Sequence, residues 1–88
     1  MYENLIKEYI ENKLTKGDIK NYCNKKNITI NNDEINIVYE VIKNKWKTLY
    51  KGCEDDKIKI FKYLKTNLND NLYNSIVDLY NEYKKKIN

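Results

Sequence analysis

The chain has 88 residues, 17 lysines against 13 acidic side chains, a net charge of +4 and 41% hydrophobic content, which suits one small domain with a single core. It lacks histidine, arginine, proline, alanine and glutamine, so histidine acid–base catalysis, histidine-containing zinc sites and bidentate guanidinium recognition are excluded. Lys, Asn, Ile and Tyr dominate as AT-rich codons would supply them, and a surplus of four charges does not by itself imply a polyanion partner.

The opening MYENLIKEYIEN alternates apolar with charged residues where a secretory leader would be continuously apolar. No run approaches the ~20 apolar residues of a membrane span, so the expectation is a cytoplasmic protein with no membrane partner. Tyr2, Leu5, Ile6, Tyr9 and Ile10 recur at helical spacing, with Asn4, Lys7, Glu8 and Glu11 opposite, which predicts a first amphipathic helix ending near Asn12.

Thr15 followed three residues later by Asp18 has the form of a capping box, and Ile19, Tyr22 and Cys23 form the inward row of a second helix. Lys25, Lys26 and Asn27 close it, with Asn27 suited to a left-handed exit. Ile28 and Ile30 flank Thr29 in a brief extended step. Asn31 with Glu34 is a second capping pair, and Ile35, Val38, Tyr39, Ile42 and Trp46 follow at spacings of three and four. Ile37 and Val41 lie on another side, so this third helix is expected to be covered on more than one face and to run through the middle of the domain.

NKWKTLYKG then reads as an irregular basic stretch closed by Gly52. A fourth helix fits Glu54 to about Thr66, its three leading acids complementing the positive helix end, with Phe61, Leu64 and Leu68 as its core stripe beside Ile58 and Ile60. The fifth begins after Asn69 and carries Leu72, Tyr73, Ile76, Leu79, Tyr80, Tyr83 and Ile87 on one broad face. The expected fold is all-α, one compact bundle of about five short helices over residues 1–88, with a helix-extended-helix unit in the N-terminal half.

The order of YIENKLTKGDIKNYCNKKNITINNDEINIVYEVIKNKWKTLY, the DDKIKIFKYL helix and LNDNLYNSIVDLYNEY is similar to a family of small proteins of low-GC Gram-positive bacteria, the YqfT-like family. The resemblance covers most of the chain. It rests on Leu14-Thr15 before Asp18-Ile19, the NITI step before Asn31, the pair Leu49-Tyr50 and a terminal helix ending in aromatics. Where that family has a basic-plus-glycine break after the third helix, this chain has Lys43-Asn44-Lys45-Trp46. The resemblance implies a fold and a compartment but no activity. The helix-extended-helix order also looks like that of DNA-binding modules of the SAP and helix-extended-loop-helix kind, although wedging of Ile28 and Ile30 between two helices explains the pattern as packing.

Chemistry-bearing groups are sparse. Cys23 and Cys53 stand thirty positions apart and read as a buried and a loop thiol. Ser75 lies within a helix without a base, Gly17 and Gly52 form no phosphate loop, and Glu54-Asp55-Asp56 lacks the spacing and glycine of a calcium loop. The expectation is no enzyme, no cofactor and no metal. Binding is the remaining role, either to protein (as adaptor, assembly subunit or inhibitor) or to nucleic acid. A phage-type inhibitor of a nucleic-acid-processing enzyme fits the same facts.

Lys43, Lys45, Lys47 and Lys51 with interleaved Trp46 and Tyr50, joined by Lys59 and Lys62, are the candidate macromolecule-binding residues. Against a base-stacking role, Trp46 continues the core row of the third helix. Leu72, Ile76, Leu79 and Tyr83 approximate a heptad and are the candidates for self-association, with intramolecular packing of a monomer favoured over a homodimer.

Overall fold

Both helix-start pairs close in the computed structural model, which describes residues 2–87 apart from the side chains at positions 2, 83, 86 and 87. The Thr15 amide donates to Asp18 Oδ2 at 3.0 Å while the Asp18 amide donates to Thr15 Oγ1 at 3.2 Å. Asn31 and Glu34 repeat the exchange at 3.1 and 2.8 Å. Each box satisfies amides that a helix start leaves without partners.

The described residues form five α-helices and no strand: α1 Tyr2–Glu8, α2 Lys16–Lys25, α3 Asn32–Lys51, α4 Glu54–Asn67 and α5 Asp70–Ile87. A π-helical turn over Tyr9–Lys13 extends α1, closed where the Leu14 amide reaches the Tyr9 carbonyl five residues back at 2.7 Å. Asn27 takes φ of 57° after α2, the left-handed exit that asparagine tolerates. Ile28 and Ile30 are half-buried and pack against the core, so the extended step acts as a wedge.

Two expectations are corrected. NKWKTLYKG is not irregular: α3 continues through it to Lys51, because Val41, Ile42, Trp46 and Leu49 keep helical spacing and lysine is a good helix former. Gly52 stops it, and a β-carbon there would stand 2.5 Å from the Thr48 carbonyl oxygen. The first helix also buries less than its pattern suggests. Ile6 and Ile10 are half-buried, but Leu5 and Tyr9 face solvent, since this segment meets α3 mainly through the π turn and only a narrow row reaches the body.

The main core joins Ile19 and Cys23 of α2, Val38 of α3, Ile60 and Leu64 of α4, and Leu68 and Leu72 at the α4–α5 corner. Ile37, Val41, Tyr73, Ile76 and Phe61 pack around it. As expected, α3 is central, touching α2, α4 and the π turn. The radius of gyration, 12.6 Å, is close to the ~12 Å of a compact chain this long.

A carboxylate locks the middle of this fold. Glu34 is 7% exposed and accepts from the Asn31 amide, from the Asn69 amide at 2.7 Å and from Asn69 Nδ2 at 3.1 Å. Asn69 Nδ2 also donates to the Thr29 carbonyl, while its Oδ1 caps α5 by accepting from the Leu72 amide, both at 2.8 Å. One capping residue of α3 thereby anchors the capping residue of α5.

Candidate functional site

Helical spacing divides the lysines of α3 between two sides. Tyr39, Lys43, Trp46 and Tyr50 share the row nearest the π turn, where Lys43 Nζ donates to the Glu11 carbonyl at 3.2 Å and lies 5.5 Å from the Tyr39 ring centroid. Trp46 is buried at 6% exposure, so its ring serves packing and is not free to stack on a base. Tyr50 is half-buried. Lys47 Nζ lies 5.8 Å from the Trp46 ring, and Lys51 pairs with Glu3. That contact holds the Glu3 carboxyl below its usual range and raises the Lys51 ammonium, the direct hydrogen bond being the main cause for both.

The other side of α3 faces α4 across an open groove of about 550 Å³. Glu40, Val41, Asn44, Lys45 and Thr48 line it from α3, and Asp56, Lys59, Ile60 and Tyr63 from α4. Lys45, Lys59 and Asp56 make no ion pair with another described residue. Glu40 accepts from Asn44 Nδ2 at 3.1 Å. Tyr63 stands 51% exposed at the wall. The groove therefore presents two ammonium groups, two carboxylates, two small polar side chains and an aromatic ring over an aliphatic floor.

Of the predicted basic set, the fold brings together Lys45 and Lys59, with Lys62 exposed one turn along α4. It turns Lys43 and Lys51 toward the N-terminal segment and leaves Lys47 outside the groove. Tyr63 was missed by the sequence reading, although its spacing of four from Lys59 was the available signal. Of the self-association set, Leu72 is buried and unavailable to a second copy, Ile76 is half-buried, and Leu79 is exposed. The Tyr83 side chain lies outside the described residues.

Other chemistry-bearing groups stay apart. Among the described residues no three acidic or cysteine side chains are placed to hold a metal ion. Burial, reinforced by the Glu34 carboxylate, pushes the Cys23 thiol above its ordinary value, whereas Cys53 is exposed at the start of α4. No described helix is long and apolar enough to cross a membrane. Comparison with protein-family models, with curated proteins and with solved structures found no match.

Proposed function

We propose that this chain is a non-enzymatic, cytoplasmic helical binding module that grips another protein through the α3–α4 groove, as an adaptor, an assembly subunit or an inhibitor. The observation that carries this reading is the alternation of Lys45 and Lys59 with Glu40 and Asp56 around exposed Tyr63. A phosphate backbone drawn to the lysines would meet two carboxylates in the same groove, whereas a polypeptide supplies both signs of charge. Tyrosine is among the residues that anchor protein interfaces, because it buries large area and keeps a polar tip. The chain acts as a monomer in this reading, and kinship with the YqfT-like family stands beside it as a proposal without an activity attached.

The test is a photo-crosslinking amino acid in place of Tyr63, in cells and in lysate, with and without nuclease. The reading requires a discrete protein adduct that survives nuclease and is lost in the double variant Lys45→Glu, Lys59→Glu. An adduct that vanishes with nuclease, or titration of a single-stranded oligonucleotide with steep salt dependence, favours the nucleic-acid reading instead. An adduct indifferent to the charge reversal removes the groove from the interface.

A further inference from the structure

Beside the groove, sharing only Val41 with it, lies a second hollow of about 270 Å³, lined by apolar side chains from the π turn and from α2 to α5. Its floor includes Cys23, Leu64 and Leu72, each at most 2% exposed. Its most exposed lining residues, Tyr9 and Leu79, mark the mouth. Protein interiors leave few voids larger than a water molecule, because walls that face empty space lose dispersion contacts. Apolar hollows lined by Leu, Ile and Phe accept small apolar molecules.

We propose that this cavity is a binding site for a neutral, apolar small molecule. The walls set the class. No lysine lines the cavity, so an entering carboxylate would surrender its hydration and gain no counter-charge. Asp18, its one charged lining residue, already accepts the Thr15 amide. The Tyr80 hydroxyl donates to the Leu49 carbonyl, and half-buried Ser75 lies in an otherwise mostly apolar lining. The inference is independent of the protein-binding reading, since the groove and the cavity use different side chains except for Val41.

Thermal unfolding of the full chain with indole, with 1-octanol and with octanoate tests it. Both neutral probes are expected to raise the midpoint saturably, with the unfolding equilibrium suppressed about 100-fold when free probe is 100 times its Kd. Octanoate is expected to give no saturable rise. Ser75→Leu places apolar bulk in the cavity and is expected to abolish the response. Methyl-resolved NMR of the unaltered chain gives a second readout, with probe-induced shifts expected at Leu64, Leu72 and Ile76. The proposal is overturned if neither neutral probe acts, if octanoate matches octanol, if Ser75→Leu keeps the full response, or if the shifts fall outside the lining. A midpoint that rises with protein concentration and ignores the probes overturns it too, by pointing to a side chain of a second copy as the occupant.

Discussion

The two ends of α3 are tied to the rest of the molecule by different physics. At its start, Glu34 sits under cover and collects donors from its own helix cap and from Asn69 at the head of α5, so the α2–α3 and α4–α5 connections meet at one carboxylate. Toward its end, the N-terminal segment rests against it through the π turn, the Lys43–Glu11 hydrogen bond and the exposed Lys51–Glu3 pair, with Leu5 and Tyr9 facing water. Charged hydrogen bonds in a low-dielectric setting are strong and costly to break, whereas exposed ion pairs are weakened by solvent. A helix with a clear apolar stripe is thus firmly held only where a neighbour covers that stripe.

The widest gap between the regions is expected from core truncation. Leu64→Ala, at a site 2% exposed, should cost about 4 kcal/mol in chemical denaturation and melt the whole domain cooperatively. A loss under about 1 kcal/mol would mean that the α2–α4–α5 core is not the stabilising centre. Glu34→Ala should cost about 3 kcal/mol, because the Asn69 donors would be stranded under cover. A near-neutral outcome there would dissolve the distinction between the two ends.

A smaller effect is expected from pH. The Cys23 thiol is raised above its ordinary value of about 9.0 by burial, so the folded chain holds this proton more tightly than the unfolded chain. Its contribution to stability is fully present below about pH 9 and declines as pH rises through the raised folded value. Stability curves of the parent and Cys23→Ala should therefore converge in shape below that point and diverge above it. Equal slopes for parent and Cys23→Ala would remove the burial argument. The smallest effect is expected at the N-terminus, where Leu5→Ser, at a position 62% exposed, should shift stability by under about 0.5 kcal/mol. Amides of α1 should also exchange faster than those of mid-α3, and equal protection would show that α1 belongs to the cooperative core.

The groove shows how far residue spacing carries toward a surface. Lys45 and Lys59 were legible as candidates because lysines crowd the end of α3 and the outward side of α4. Their separation from Lys43 and Lys51 was not legible, since it depends on which neighbour each row of α3 meets. Reading NKWKTLYKG as irregular hid the helical phase that sorts these lysines. Tyr63 was hidden by chemistry: in a chain with nine tyrosines, one more aromatic next to a lysine draws no attention until its exposure is known.

The sequence by itself determined the number and order of the helices, both capping boxes, the left-handed exit at Asn27 and the inward rows of α2 and α3, because each depends on contacts within a few residues along the chain; in α4, Ile58, expected beside the core stripe, is 58% exposed while Ile60 is buried. Only the tertiary structure decided that Glu34 binds Asn69 thirty-five residues away, that Leu5, Tyr9 and Leu79 stay in water, and that a groove and a cavity open on either side of Val41. Those outcomes depend on which helix faces which. Local periodicity marks the apolar side of a helix without saying whether a neighbour reaches far enough to cover it.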